Sequence, residues 1–393
     1  MIQLNYTILS KKLLGQSMKL IKFSLAAIMA LGTCSYAADS VAEALKNGKA
    51  SGALQAAYWS RNKGTDAEII NFGLDVSYET ATFYNFGAKA TFQTSSSPFI
   101  NDDAREVFKD DMYGSGSQLS ELYLSYALGK TTAQVGRMYF GTPLVAGSGS
   151  RMNRESFEGA IVTNSDIQDT KITIGYVQKM QNRTDGEGDI GRFTKDFTWQ
   201  GEVAHGAYTA VVENSSIENV NLTVAYLDAK DLMEVAYLEA VYKKDNFALA
   251  SQYYYSEKEG VDSTDLFGLK GNISFGKASF VAAYTTTGDE YVHAGLGNGA
   301  DFAYTGSPIL SDTYNANSDA YKVGASYAVI PALNVGVNYV FDDRKDTEIS
   351  YASATADYTF SGAVDGLNVA VLYEEAGKDS DDNEFRLNVT YPF

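Results

Sequence analysis

The sequence predicts an all-β protein, a transmembrane antiparallel β-barrel of about 18 strands, with roughly 16 also compatible. The first observation is a period-two alternation of apolar with polar or small residues in segments of about ten residues. It is clearest at the carboxyl terminus, where Phe385, Leu387 and Val389 alternate with polar residues. The second is that Tyr and Phe recur near segment ends, where barrels carry aromatic girdles. The third is that short and long connections alternate, as at the two rims of an outer-membrane barrel.

The composition excludes several other classes of protein. The chain has 393 residues and a formal net charge of −18, with 2 His and 1 Cys. So few soft ligands do not suffice for a zinc or iron–sulfur enzyme, and one cysteine cannot build a disulfide scaffold. The acidic balance argues against a nucleic-acid partner, because binding a phosphate backbone requires Lys and Arg. Aromatic abundance, 28 Tyr and 20 Phe against 5 Pro, favours one large β-structure.

Residues 1–37 are predicted to be a leader that contains a signal peptide. Two lysines precede a short apolar stretch, and small residues lead to a cleavage site after Ala37. The stretch is shorter than the roughly 20 residues of a spanning helix, and Met18 is the expected true start. Residues 38–393 would then form a single barrel domain. Four of the 31 Lys and Arg lie in the leader, so the remaining 27 against 49 acidic residues give a formal charge of −22.

Counting the alternating segments gives eighteen candidate strands. The region 199–243 is the least secure, because glutamates occur on both faces there. A β-sandwich in water would show the same period, so this alternative stays open. The candidate strands cover residues 50–61, 68–79, 83–94, 118–128, 131–140, 157–165, 170–181, 199–212, 220–229, 232–243, 246–256, 265–275, 278–287, 320–329, 333–342, 348–360, 367–376 and 384–393.

A closed barrel of this size would leave an aqueous channel. The ring pairs every backbone donor and acceptor, so the structure does not depend on a dry core. A ring of sixteen to eighteen strands is too wide for its own side chains to fill. We therefore expect a channel that passes small hydrophilic solutes and ions by passive diffusion, and neither an enzyme nor a cofactor-dependent protein.

The last strand ends in Tyr391-Pro392-Phe393, with aromatic or apolar residues at every second position before it. This pattern resembles the terminal signal by which barrel-assembly machinery recognises outer-membrane proteins of Gram-negative bacteria. The resemblance implies that Tyr391 and Phe393 form an assembly signal. It also implies an integral outer-membrane protein in contact with membrane lipid and lipopolysaccharide. A last strand that simply ends in an aromatic residue is the plainer interpretation.

Residues 135–144 and 151–160 form the most specific local feature. The first reads Val-Gly-Arg-Met-Tyr-Phe-Gly-Thr-Pro-Leu and the second Arg-Met-Asn-Arg-Glu-Ser-Phe-Glu-Gly-Ala. Together they resemble the OprD-type porin family, in which a strand leads into a Thr-Pro loop and a returning strand. Residues 47–52 are similar to the family's opening strand. Arg154 stands where the family pattern usually has Pro.

The resemblance implies a loop that folds into the barrel and narrows the pore, lined by basic residues that guide anionic groups. Arg137, Arg151 and Arg154 are then the candidates for the constriction, with Glu155 and Glu158 beside them. Guanidinium groups in a narrow throat would bind carboxylates bidentately while staying charged. The alternative is that these arginines pair with Glu155, with Glu158 or with lipopolysaccharide phosphates at the rim.

Acidic clusters in the predicted connections are expected to be solvated loops. Asp185, Glu187, Asp189 and Asp196 fall at positions 1, 3, 5 and 12 of a calcium-loop spacing, which raises a weak candidate site for loop-bound Ca²⁺ or Mg²⁺. Isoleucine occupies the position where that turn requires glycine. The glycine-rich segment 295–299 is interpreted as a flexible loop without a phosphate-binding role.

A second functional class remains compatible with the sequence. Long loops at 95–117 and 288–318 would suit a surface-exposed adhesin or structural barrel that acts through its extracellular loops. A periplasmic or secreted β-sandwich is the third interpretation. Trimers are common among porins, which makes a homotrimer one expectation, although no pattern identifies a subunit interface.

Overall fold

A computed structural model describes residues 38–197, 205–300, 303–311 and 313–393. The described part is built on one antiparallel sheet of nineteen strands. The predicted leader and the first part of the candidate strand 199–212 lie outside the described residues. The strands are β1 Lys49–Asn62, β2 Asp66–Glu79, β3 Phe86–Ser96, β4 Gly116–Leu128, β5 Thr131–Met138, β6 Ser156–Asn164, β7 Thr170–Gln181, β8 Phe193–Thr194, β9 Ala207–Asn214, β10 Val220–Ala229, β11 Met233–Lys244, β12 Phe247–Lys258, β13 Thr264–Phe275, β14 Ala278–Thr287, β15 Ser318–Ile330, β16 Leu333–Arg344, β17 Thr347–Thr359, β18 Asn368–Lys378 and β19 Asn383–Pro392.

The sheet closes into a barrel of eighteen strands. The first strand, β1, pairs antiparallel with β19 from Ala53 opposite Pro392 to Asn62 opposite Asn383. The two-residue strand β8 pairs only with the end of β7, so it lies outside the ring as one extra strand. The predicted barrel is confirmed with eighteen strands, and closure leaves no ring edge unpaired.

The two rims of the barrel differ as the sequence predicts. Tight turns such as 129–130, 245–246 and 276–277 lie at one end, which we call the turn rim. The four longest connections, 97–115, 139–155, 182–206 and 288–317, lie at the other end, the loop rim. Both ends of the described chain lie at the turn rim. In outer-membrane barrels the short turns face the periplasm and the long loops face outward.

Two short α-helices accompany the barrel in the described part of the chain. Helix α1, Val41–Lys46, precedes β1, and the Ser40 hydroxyl accepts a hydrogen bond from its third residue. Helix α2, Asp102–Phe108, lies in the β3–β4 loop, where the Asn101 side chain accepts from the Ala104 N–H at 2.8 Å. Both caps satisfy donors that a first helical turn leaves free. Among the described residues, no helix is long and apolar enough to cross a membrane.

The apolar core lies inside the barrel and is built largely by loops. Phe108 and Met112, from the β3–β4 loop, pack with Trp59 and Ile69 on the inner wall. A larger cluster contains Phe140 of the β5–β6 loop together with residues of the loop 288–317. The two loops expected to project outward, 95–117 and 288–318, therefore fold substantially into the lumen. Their apolar residues drive this inward path, because burial removes them from water.

Candidate pore constriction

The β5–β6 loop, 139–155, folds into the barrel and narrows it, as the family resemblance implies. Phe140, Leu144 and Val145 are almost fully buried. Thr142 stabilises the turn from within: its N–H donates to the Val145 carbonyl at 3.0 Å, and its hydroxyl accepts from the Val145 N–H at 3.0 Å. A buried loop must satisfy its own backbone groups, and these bonds allow this one to cross the lumen. We call it the constriction loop.

A second loop, 288–317, docks against the constriction loop. The Leu296 N–H donates to the Leu144 carbonyl at 2.8 Å, and the Ala146 N–H donates to the Leu296 carbonyl at 3.0 Å. Gly295 has φ +138°, and a Cβ there would lie 2.2 Å from the Leu144 carbonyl oxygen. The glycines of segment 295–299 thus permit close backbone approach, and interpreting them as a flexible loop was wrong.

Arg151, a predicted constriction residue, is held against the wall by charge and stacking. Its Nε lies 3.2 Å from Asp111 Oδ2, and its guanidinium lies 5.0 Å from the Trp59 ring centre. Arg61 contacts the same Asp111 oxygen at 2.9 Å. Burial acts to raise the pKa of Asp111, but attraction to Arg151 and Arg61 outweighs it and lowers the pKa to about 2. Arg151 therefore fastens the constriction loop to the β3–β4 loop and the wall.

Strands β1 and β19 supply the rest of this charged network. Arg61 Nε lies 2.7 Å from Glu384 Oε2, and Arg386 Nε lies 2.6 Å from Glu384 Oε1. Arg386 lies 3.9 Å above the Trp59 ring, so two guanidinium groups contact one indole. The Trp59 indole N–H donates to Asn388 at 2.9 Å. The sequence analysis missed this group, although Arg386 occupies the polar face of the last alternating segment.

Glu155 is buried and pairs with an arginine that was not predicted. Arg183 Nε lies 3.0 Å from Glu155 Oε1, and both side chains are almost inaccessible. Burial lowers the pKa of Arg183 to about 10, although Glu155 opposes this. Asn298, from the second loop, also donates a hydrogen bond to Glu155. Glu155 therefore connects the constriction loop, the loop 288–317 and the β7–β9 connection. Its role in the constriction is structural.

Arg154 differs from the other lumenal arginines. No carboxylate oxygen of the described residues lies within 4 Å of its guanidinium, which stacks 4.3 Å over the Tyr139 ring. Its backbone is fixed by Gln93, whose side chain bonds both the Arg154 N–H and its carbonyl. Its Nε is buried without a hydrogen-bond partner. Asp75 on β2 interacts electrostatically with Arg154, and its carboxylate accepts a hydrogen bond from the Gln55 side chain at 3.0 Å.

Arg137 and Glu158 lie on the outer face of the barrel, so the prediction that they line the constriction is corrected. Arg137 stands opposite Leu122 on β4 and Glu158 on β6, and directly opposite residues share a face of the sheet. Leu122 is 53% exposed, as a lipid-facing residue should be. Arg137 and Glu158 pair at 3.1 Å. Val135 is apolar and two residues before Arg137, so strand parity alone indicated the outer face.

The four acidic residues of the weak metal candidate are not brought together as ligands. The Asp185 carboxylate accepts from the Glu187 N–H at 2.9 Å and the Asp189 N–H at 3.1 Å, which makes a local turn. No group of three or more His, Cys, Asp or Glu within the described part of the chain could hold a metal ion. The calcium-loop interpretation of these residues and Asp196 is corrected: aspartate at such a position closes a turn.

The carboxyl-terminal residues complete the ring at the turn rim. Phe393 exchanges backbone hydrogen bonds with Gly52 at 2.9 and 3.0 Å. Tyr391 stands opposite Leu54, a lipid-facing residue, and the Phe393 side chain is largely exposed. Their recognition by assembly machinery stays a prediction, since the pairing explains only how the barrel closes.

A closed ring of eighteen strands, lipid-facing outside and narrowed inside by its own loops, defines a channel protein of the outer membrane. The sequence model described as outer membrane porin, OprD family, matches residues 70–393. The chain belongs to this family and is an integral protein of the bacterial outer membrane.

Relatives and solved structures agree with this assignment. A monosaccharide porin of Halomonas sp. and the major outer membrane protein of Halomonas elongata are each 24% identical over 164 residues, covering 39% of this chain and 43% of the relative. The chain thus matches less than half the length of these relatives. Acinetobacter baumannii OccAB4 superposes with a TM-score of 0.76 at 19% identity, covering 88% of this chain and 98% of that one. Pseudomonas aeruginosa OpdO gives 0.76 at 16% identity, covering 90% and 98%.

Proposed function

We propose that the protein conducts small hydrophilic solutes by passive diffusion and favours small carboxylates at its constriction. Arg154 carries the proposal. It is the predicted constriction arginine whose guanidinium has no carboxylate within 4 Å among the described residues. A guanidinium without a carboxylate partner at salt-bridge distance, in a narrow and weakly hydrated throat, attracts a passing carboxylate more strongly than one in open water. Arg151 and Arg137 already satisfy carboxylates of the protein itself.

The contacts that hold the side chain and backbone of Arg154 support this role. Stacking on Tyr139 restricts the plane of the guanidinium, and the Gln93 side chain fixes the Arg154 backbone by bonding both its N–H and its carbonyl. A group held in this way loses little side-chain entropy when a solute binds. Burial raises the pKa of Tyr139, so the phenol stays neutral and adds no negative charge beside the guanidinium. Asp75 attracts the guanidinium only from beyond salt-bridge distance. A single fixed cation suits brief contact, which a diffusion channel requires.

A neutral monosaccharide is the second candidate solute class. Its support is the match to the Halomonas monosaccharide porin and the balance of charge elsewhere in the constriction, where carboxylates offset most arginines. An adhesin role is less well supported, because long loops that would serve it fold into the lumen. Porin family membership supports a channel rather than an enzyme, and homotrimer formation stays a prediction.

The experiment is reconstitution of the purified barrel in planar bilayers and liposomes. We expect ohmic single-channel steps, and faster liposome swelling in a small monocarboxylate than in a monosaccharide of similar size. Equal rates for the two solutes would support the sugar candidate and contradict the carboxylate preference. Folded protein that gave no conductance would overturn the proposal as a whole.

A further inference from the structure

We propose that a cationic patch on the outer face of β5–β7 binds a phosphate of the phosphorylated glucosamine headgroup of outer-leaflet lipopolysaccharide. The patch, which we call the outer patch, consists of Arg137, Lys179 and the Glu158 that lies between them, with Phe193 of β8 beside them. The channel function makes no use of these residues, because they face away from the lumen.

The outer patch holds more positive than negative charge. Glu158 presents one oxygen to Arg137 Nε at 3.1 Å and the other to Lys179 Nζ at 2.9 Å. One carboxylate shared by two cations leaves a net charge of about +1, and each cation keeps donors for a further acceptor. The Arg137 and Lys179 side chains are 33% and 35% exposed. An external phosphate can therefore reach both.

The aromatic ring of the patch presents Arg137 in one orientation. The guanidinium carbon lies 4.3 Å from the centre of the Phe193 ring, and one terminal nitrogen contacts the Leu119 carbonyl at 3.4 Å. Stacking and this contact restrict the plane of the Arg137 guanidinium, which favours bidentate binding of a phosphate. Arg192 and Lys195 flank β8 in the sequence and are exposed, and Asp196 follows them, so the positive charge of the patch rests on Arg137 and Lys179.

The outer patch lies at the height of lipid headgroups. Arg137 is the second-last residue of β5, and Lys179 the third-last of β7, so both approach the loop rim. Below them on the same face, Tyr176 and Tyr208 form a ring pair at 5.0 Å. Outward tyrosines mark the boundary between the apolar band and the headgroups. Charged groups just beyond that boundary, on the side of the long loops, meet the phosphates of the outer leaflet.

At three other positions near the loop rim, the outer face carries negative charge. On other strands, outward tyrosines near the loop rim donate to carboxylates: Tyr226 to Glu234 at 3.0 Å and Tyr284 to Asp319 at 2.6 Å. Tyr373 likewise donates to Glu375 at 3.0 Å. Those carboxylates repel a phosphate, so a phosphorylated headgroup would be bound at β5–β7 in preference to these positions.

The test uses the full folded barrel in detergent with bis-phosphorylated lipid A as the probe. Bound lipid is counted by native mass spectrometry across a titration for wild type, Arg137→Gln with Lys179→Gln, and the control Lys171→Gln. Lys171 lies on the same strand and pairs with Glu213 at 2.6 Å, but it faces the lumen. We expect the double variant to bind lipid A at least about tenfold more weakly than wild type. The control variant should bind it with wild-type affinity.

Four further measurements decide the assignment. Glu158→Gln should bind lipid A more tightly than wild type, because the patch gains net positive charge. Misfolding cannot produce such an increase in affinity. Lipid A lacking both phosphates should bind equally to all variants. Wild-type affinity in the double variant would overturn the proposal, and so would displacement of lipid A by equimolar inorganic phosphate. Loss of a dimer or trimer without added lipid would assign the patch to protein contacts instead.

Discussion

Replacing Arg154 with glutamine should shift the channel towards cations. The side chain keeps a similar length and polarity but loses the charge that no described carboxylate within 4 Å compensates. A carboxylate passing about 5 Å from the guanidinium gains roughly 0.8 to 3 kcal/mol for an effective dielectric between about 80 and 20. We therefore expect the anion-to-cation permeability ratio to fall at least about fourfold at low ionic strength, which corresponds to the lower of these energies.

The assay is the reversal potential of single channels in a potassium chloride gradient, repeated at several mean concentrations. Because the Debye length shortens to about 3 Å near 1 M salt, the difference between Arg154→Gln and wild type should shrink as salt rises. Arg137→Gln is the matched control, since it removes the same charge from the outer face. We expect its reversal potential to equal that of wild type.

Two results would refute the reasoning. If Arg154→Gln left the reversal potential unchanged at low salt, the guanidinium would not contact the ion path. If Arg137→Gln shifted it equally, the effect would come from the general field of the protein and not from the constriction. A rise in conductance with unchanged selectivity would indicate that Arg154 acts only by filling space.

Three further predictions concern the loops and the carboxyl terminus. Asp111→Asn should lower the free energy of unfolding by about 2–3 kcal/mol near neutral pH, since that carboxyl has a pKa of about 2 when folded against about 3.9 unfolded. The pKa is depressed, so wild type keeps this stabilisation above about pH 4 and loses it as the pH falls towards 2, which thermal melts can follow. Gly295→Val should separate the two inward loops and raise single-channel conductance, because its side chain meets the Leu144 carbonyl; unchanged conductance would contradict the docking. Phe393→Ala should reduce assembled protein in cells but not refolding in detergent, since the backbone bonds to Gly52 remain; equal losses in both measurements would contradict a recognition role.

The barrel itself could be predicted because its signal is local. Alternation along a segment assigns each side chain to a face, and short turns fix the order of neighbouring strands. Seventeen of the eighteen alternating segments correspond to ring strands within a few residues at each end. The segment 199–212 begins eight residues before β9, and its residues 199–204 lie outside the described part of the chain. Residue parity would also have placed Arg137 outside. That residue was misassigned because the family motif around it took precedence over the alternation of its own strand.

The constriction could not be predicted to the same depth, because its contacts join distant parts of the chain. Trp59 bonds Asn388 across 329 positions, and Arg61 pairs with Glu384 across 323. No periodic pattern records such pairs; they follow from barrel closure, which brings β1 beside β19. The inward path of the loop 288–317 likewise depends on a distant partner. The constriction loop supplies the surface against which this loop docks.

The acidic total of the chain does not determine the selectivity of its pore. At the constriction, four arginines and three carboxylates form two ion-paired groups. One consists of Arg61, Arg151, Arg386, Asp111 and Glu384, and the other of Arg183 and Glu155. Their charges nearly cancel, and each pair is held at hydrogen-bond distance, so their field decays within a few ångströms. An ion in transit therefore responds to the net charge that remains, to which Arg154, with no described carboxylate within 4 Å, adds positive charge. By contrast, carboxylates on the outer face, such as Glu234 and Asp319, are separated from the ion path by the barrel wall. Screening over one Debye length, about 8 Å in physiological salt, weakens them further. A chain with a formal charge of −18 can thus form an anion-preferring channel, because selectivity depends on the uncompensated charge nearest the path and not on the sum over the molecule.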